Sequence, residues 1–281
     1  MTQITGHTRV FGILADPIAH VKTPQVMAEV FARHGVDGVL VPMHVTPDQL
    51  PQALDGLRAM RNFGGFIATM PHKAAMLGLC DAIEGDAARI GAVNCVRRED
   101  DGRLIGAMLD GIGFVEGVRQ AGIDPGGTRV LLAGAGGAAS AIAFALAEAG
   151  VAELTILNRT ASKAEDLAER VSEAYPACRA EGCSVVADLA SYDIVANATS
   201  LGLRAGDPLP LSPEGLHAGQ IVAEAIMEPE VTPLLAEAAA RGARCHPGLP
   251  MLHCQIELMA RHMGAIPGEA LTGTAAAGSA Q

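Results

Sequence analysis

Apolar and polar positions alternate along the chain between short apolar runs and segments of helical period. Thr8–Leu14 is an apolar run and predicts a strand. Thr23–His34 predicts a helix, with Thr23 as N-cap, Pro24 at the first helical position and Gly35 just past its end. Gly38–Val45 predicts a second strand. Pro47–Arg61 places Leu50, Leu54 and Leu57 on one helical face, and Phe66–Thr69 is a short buried strand. Val93–Val96 and Leu104–Met108 predict a hairpin turning at Asp101-Gly102. A helix over Gly113–Gly122 runs into the Pro/Gly cluster 123–128, which reads as a domain boundary.

The second half repeats a cleaner pattern. Strands are predicted at Arg129–Ala133, Glu153–Leu157, Val185–Val186, Ile194–Val195 and Ile221–Ala225. Helices are predicted at Gly137–Ala149, Ala161–Glu173 and Thr232–Arg241, the last opened by Thr232 and Pro233. A long helix, Leu249–His262, follows Pro247-Gly248, and the small polar tail Thr272–Gln281 reads as disordered. Alternation of this kind implies an α/β fold with a parallel sheet covered on both faces.

Composition narrows the function. The chain has 281 residues, 49% hydrophobic, enough for one or two domains with a sizeable core. Its net charge is −11, which argues against a nucleic-acid partner, since phosphate contact needs a positive face. It contains no Trp and no apolar stretch of membrane-spanning length, and its first residues lack the pattern of a signal peptide. The six cysteines (80, 95, 178, 183, 245 and 254) show no CxxC, so neither a metal site nor a disulfide framework is expected, and a cytoplasmic location fits reduced thiols.

The most specific motif is the run from Val130 to Leu146. A buried strand passes directly into Gly134-Ala135-Gly136-Gly137-Ala138-Ala139 and then into a helix. Gly134 permits the tight turn, Gly136 lets a pyrophosphate approach the main chain, and Ala139 keeps helix and strand close. The helix N-terminus offers free N–H groups to the phosphates. The next strand ends at Asn158, where an NAD-binding site carries an acid, and Arg159, Thr160 and Lys163 follow. A carboxylate there would repel a 2′-phosphate, whereas these groups would bind one, so NADP is expected over NAD.

Candidate chemistry lies in the first half. Lys73 follows FIATMPH and is expected at a helix start, an unfavourable place for a cation unless a carboxylate compensates. Asn94 precedes the first hairpin strand and Asp110 follows the second, so hairpin pairing brings both to one end. A Lys–Asp pair beside a nicotinamide is a proton-transfer device. Plain structural roles also fit: Asp110 as a helix cap, Asn94 as a partner for turn main chain. His20, His72 and His253 have no spacing that forces a catalytic role.

Taken in order, ADPIAHVKTP (15–24), TMPHK (69–73), GAVN (91–94), LDGIGF (109–114), AGAGGAA (133–139), NRT (158–160), NATSLG (197–202), TPLL (232–235) and GLPMLHCQ (248–255) resemble the shikimate dehydrogenase family. The resemblance implies an N-terminal α/β substrate-binding domain over 1–112 and a Rossmann-type, doubly wound NADP domain over 113–248. It implies as well a cleft between the two and a C-terminal helix, 249–270, that completes the first. It implies reversible oxidation of a cyclic polyhydroxy acid, with Lys73 moving the hydroxyl proton and Asp110 holding the lysine. Thr69, Asn94 and Gln255 match hydroxyl-binding positions, and Thr199, Gly248 and Met251 join the cofactor site. A small-molecule substrate and a monomer or homodimer are implied, with no metal.

The departures sit at the acid end of the substrate. Where the family places two serines, this chain has Val21 and Thr23. Met227 stands at a family Tyr, Glu224 at a family Asp and Ile67 at a family Asn. Each lost hydrogen bond to a charged group is worth roughly 1.5–3 kcal/mol. Losing donors at Val21 and Met227 lowers carboxylate affinity by about 10²–10⁴-fold unless something replaces them, with Lys22 and His72 as candidate cations. The expectation is retained oxidising machinery, a rebuilt acid pocket and poor use of shikimate, below ~10⁵ M⁻¹s⁻¹ in kcat/KM. A different cyclic alcohol, or an NADP-binding regulatory protein without turnover, are the alternatives.

Overall fold

The computed structural model describes residues 4–19 and 21–268, so His20 and the predicted tail Thr272–Gln281 lie outside the described residues. The chain divides into two compact units. One holds the residues up to Leu109 and those from Ile256 onward, and the other is Asp110–Gln255.

The first unit contains β1 (Arg9–Ala15), α1 (Thr23–His34), β2 (Gly38–His44), α2 (Leu50–Ala59), β3 (Phe63–Ala68), α3 (Met76–Leu79), β4 (Ala82–Ile83), α4 (Ala87–Ile90), β5 (Cys95–Arg98) and β6 (Leu104–Ala107). The sheet order is β2-β1-β3-β5-β6-β4. The first three strands run parallel, β5 is antiparallel to β3 and β6, and β4 is parallel to β6. The core residues Phe11, Leu14, Phe63 and Phe66 are almost fully buried. Leu50, Leu54 and Leu57 of α2 are buried as their spacing predicts, each worth roughly 1.5–3 kcal/mol. The hairpin closes through Asp100–Gly102: Gly102 N–H donates to the Glu99 carbonyl (2.9 Å), and Glu99 N–H to that of Arg103 (2.8 Å).

Two local expectations fail here. Helix α1 begins at Thr23, so Lys22 occupies the cap position, and no side chain caps the helix. The segment 47–49 is a turn, and α2 starts only at Leu50.

The second unit contains α5 (Asp110–Gln120), β7 (Arg129–Ala133), α6 (Gly137–Glu148), β8 (Glu153–Leu157), α7 (Ala161–Ala174), β9 (Arg179–Cys183), β10 (Ile194–Asn197), β11 (Ile221–Glu224), α8 (Pro233–Ala240), β12 (Arg244–His246) and the first half of α9 (Leu249–His262). All six strands are parallel, in the order β9-β8-β7-β10-β11-β12. Read from β7, this is the 3-2-1-4-5-6 order of doubly wound nucleotide-binding sheets, with its switch point between β7 and β10. Leu131, Val195, Val222, Leu234 and Leu235 form its core on one face.

The predicted strand at Val185–Val186 is wrong. Val185 is 78% exposed, and the edge strand is β9, whose polar sequence RAEGC hides it. The Pro/Gly run 123–128 is a loop inside the second unit, not a boundary. Gly127 N–H donates to the Gly150 carbonyl (2.8 Å), which ties the loop to the end of α6.

Candidate active site

In the second unit the site starts at the switch point. Gly134 leaves β7 with φ +116, and a Cβ there would lie 3.0 Å from the Ala198 carbonyl, so the turn needs glycine. Gly136 caps α6 with no side-chain hydrogen bond, and a Cβ on Gly136 or Gly137 would meet open space. The first-turn N–H groups, those of Gly137, Ala138 and Ala139, have no partner within the helix. Ala139 and Ser140 are buried beneath them. This arrangement fits a pyrophosphate: an unobstructed, uncapped helix N-terminus at the carboxyl edge of a parallel sheet.

At the end of the neighbouring strand β8, Asn158 Nδ2 donates to the Thr160 carbonyl (2.9 Å). Arg159, Thr160 and Lys163 are exposed, and α7 has no acid in its first turn. These residues fit a 2′-phosphate. On the other side of the switch point, Thr199 is half-buried, its N–H (3.0 Å) and Oγ1 (2.7 Å) both donating to Asn197 Oδ1.

Asp110 opens α5 and is only 4% exposed. Gln255 Nε2 donates to its Oδ1, so two residues proposed for the site meet directly. Small residues make this possible: a Cβ on Gly113 would lie 2.8 Å from Gln255 Cβ and 3.0 Å from the Met251 carbonyl. Gly248 approaches the 225–226 main chain so closely that a Cβ would fall 2.2 Å from the Ile226 carbonyl. Met227, next in that loop, is half-buried, and Met251 is buried.

In the first unit, Thr69, Lys73 and Asn94 are tied by main-chain bonds. Ala68 N–H donates to the Asn94 carbonyl (2.9 Å), and Val93 N–H to that of Lys73 (2.9 Å). Asn94 is buried and its Oδ1 accepts from Leu109 N–H (2.9 Å), so its plain structural reading holds for that atom. The loop from β1 starts alongside, since Asp16 N–H donates to the Met70 carbonyl (3.2 Å). It carries Val21 and Thr23, both half-buried, with Lys22 exposed between them. Ile67 is a core residue of β3.

Lys73 does not open a helix. It lies in a run of turns before the single-turn α3, so the argument from the helix dipole does not apply to it. Lys73 and Asp110 fall in different units. His72 is buried with Nε2 donating to the Val45 carbonyl (2.9 Å), which makes it a pin for that loop rather than a carboxylate ligand. His253 is exposed. All six thiols are free, and Cys245 is exposed rather than buried. Burial pushes Cys80 and Cys178 up to about 11, far from nucleophilic thiolates at neutral pH. Among the described residues no three His, Cys, Asp or Glu side chains could hold a metal, and no helix is long and apolar enough to cross a membrane.

The sequence reading missed the side chains behind Thr199. Asn197, Glu224 and Thr232 form a buried hydrogen-bonded set. Asn197 and Thr232 lie inside motifs already singled out, but nothing in their spacing signals that they meet.

Comparison with known proteins bears on most of the chain. A family model for the shikimate dehydrogenase substrate binding domain matches residues 13–96, and one for shikimate / quinate 5-dehydrogenase matches 119–203. The chain is 44% identical to the shikimate dehydrogenase (NADP(+)) of Rubrobacter xylanophilus, over 89% of this chain and 88% of that one. Among solved structures, it resembles the 5-ketofructose reductase of Gluconobacter sp. strain CHM43 with a TM-score of 0.85 and 36% identity, covering 92% of this chain and 93% of the other. It also resembles shikimate 5-dehydrogenase from Thermus thermophilus, solved with NADP(H) and shikimate, with a TM-score of 0.81 and 33% identity over 94% and 96% of the two chains.

Proposed function

Because the chain belongs to the shikimate dehydrogenase family, we propose that it is an NADP-dependent oxidoreductase interconverting a shikimate-like cyclic hydroxy acid and its ketone. The observation that carries the reading is the switch point of the second unit. A glycine turn there meets an uncapped helix N-terminus, beside a strand that is followed by Asn158-Arg159-Thr160 with no carboxylate. The main chain of 135–138 would hold the pyrophosphate, and Arg159, Thr160 and Lys163 the 2′-phosphate. Thr199, Gly248 and Met251 would border the rest. The bound nicotinamide supplies hydride acceptance.

The chain's own residues do the remaining work. Lys73 takes the proton of the hydroxyl being oxidised. Asp110, whose Oδ1 already accepts from Gln255, holds the ammonium and a substrate hydroxyl. Thr69, Asn94 and Gln255 bind further hydroxyls, which fixes the ring so that one carbon faces the cofactor. Val21, Thr23 and Met227 border the opposite end of the substrate. The same reading has a monomer or homodimer working in the cytoplasm.

A second reading concerns that end. Val21 and Met227 offer no donor to a carboxylate, and a neighbour at 36% identity is named a 5-ketofructose reductase, a name that implies a ketose rather than an acid. The pocket then prefers a polyol or ketose lacking the acid. NADPH formation or consumption with shikimate, quinate and 5-ketofructose decides between them. The first reading expects the acids to be turned over, the second expects 5-ketofructose to be preferred, and no turnover of any hydroxy acid, polyol or ketose sinks both.

A further inference from the structure

Glu224, the last residue of β11, is fully buried and has no part in the chemistry above. Its Oε2 accepts from Asn197 Nδ2 (3.2 Å) and Thr232 Oγ1 (2.9 Å), and its Oε1 from Ile226 N–H (3.3 Å). Asn197, also fully buried, accepts both bonds from Thr199 and donates a second time to the Leu201 carbonyl (3.1 Å). Leu201 N–H in turn donates to Thr199 Oγ1 (3.0 Å). One carboxyl therefore fixes two loops, 198–202 through Asn197 and 225–227 through Ile226. The first loop crowds Gly134 through the Ala198 carbonyl, and the second crowds Gly248 through the Ile226 carbonyl.

Every partner of this carboxyl is a donor. An ionised carboxylate accepts all three bonds, whereas a protonated one, or an amide, turns a hydrogen toward the Asn197 amide N–H, the Ile226 N–H or the Thr232 hydroxyl, whose oxygen already accepts from Leu235 N–H. We propose that ionised Glu224 is a positioning residue that sets one loop against the phosphate-binding turn at Gly134 and the other against Gly248, so that its charge state governs cofactor affinity without contact. This inference rests on the dinucleotide site proposed above.

The surroundings make proton uptake accessible. Burial raises Glu224 above the ordinary carboxylate range, while the bonds from Asn197 and Thr232 pull it back down. On the neighbouring strand β12, His246 lies in register with Ala223 and is held below its usual range by burial and by Arg244. Cys245, beside Val222, is raised by burial. On α8, Glu237 is paired with Arg241, and Glu228 and Glu230 in the intervening loop are exposed.

The test is an NADPH binding titration on the full chain, which needs no substrate, run from about pH 8 down to about pH 5.5. Glu224→Gln is expected to bind about tenfold more weakly than the unmodified chain at the alkaline end. Because burial raises the Glu224 carboxyl, the gap should narrow toward the acid end. Titration of the cofactor's own phosphate is common to both proteins and cancels in the comparison. Thr232→Val removes one donor from the same oxygen and should weaken binding about threefold, which covers the case in which Glu224→Gln does not fold. A lowered melting temperature with NADPH affinity within about twofold overturns the proposal, and so does a gap of equal size at every pH. No NADPH binding by the unmodified chain overturns the dinucleotide reading, and this inference with it.

Discussion

At the switch point of the second unit, the groups offered to a pyrophosphate are main-chain groups: the N–H groups at the start of α6, reached through a glycine turn with open space above Gly136 and Gly137, with side chains such as Arg159 only at the rim. In the first unit they are side chains, Thr69, Lys73 and Asn94, standing on turns and strand ends and braced by main-chain bonds from Ala68 and Val93. A site of the first kind is spoiled by adding atoms. A site of the second kind is spoiled by removing them. That difference orders the following expectations.

The largest effect belongs to Lys73→Ala. Loss of a general acid–base group costs typically 10²–10⁴-fold in kcat. Lys73 is half-buried in a turn, so melting temperature and NADPH binding should be preserved. If kcat falls by less than about tenfold with the best substrate, the proton-transfer role is lost and the first unit only binds.

Next comes Arg159→Ala. Removing one charge-assisted contact should raise KM for NADP by about 10–100-fold and leave NAD almost unchanged. An equal change for both cofactors would mean that the arginine does not face the 2′-phosphate. Gly136→Ala tests the other half of the contrast. Its φ of −91 suits alanine and its Cβ would touch nothing, so the fold should be indifferent. The added methyl would nevertheless stand between main chain and pyrophosphate, weakening NADPH by about tenfold. Unchanged affinity would show that the phosphates lie elsewhere.

The same contrast explains what could be read from the sequence. A main-chain site needs glycines in fixed order between a strand and a helix, so Gly134, Gly136 and the whole of β7, α6 and β8 were legible, β8 to the residue. A side-chain site has no period. Lys73 stands out in the sequence as a candidate but does not open a helix as expected, because Pro71 and the residues after it form turns before α3. Edge strands fail for a related reason. β9 and β12 are short and partly exposed, so Arg179–Cys183 and Arg244–His246 carry no apolar alternation, while the exposed Val185 imitates it. The Asn197–Glu224–Thr232 set joins three positions separated by 27 and 8 residues, a link created only by strand order.

The smallest effect compares two buried imidazoles, one in each unit. His262 in the first is lowered by burial and by Arg97, but Glu84 Oε2 lies 3.5 Å from its Nδ1 and the Ile105 carbonyl also favours its charged form. His246 in the second is lowered by burial and by Arg244, with no opposing partner among the causes of its shift. For each ring, the unfolded chain binds a proton more readily than the folded one. Stability is therefore fully present above the unperturbed value of 6.5 and is lost as pH falls below it. The slope cannot exceed about 1.4 kcal/mol per pH unit for each group. Because Glu84 is placed to offset a charge on His262 and the shift of His246 has no carboxylate among its causes, the second unit should respond more steeply. Melting temperatures followed between about pH 7 and about pH 5 should flatten more in His246→Leu than in His262→Leu. The reverse order would mean that the carboxylate beside His262 does not compensate its burial, and the first unit would then be the more sensitive to acid.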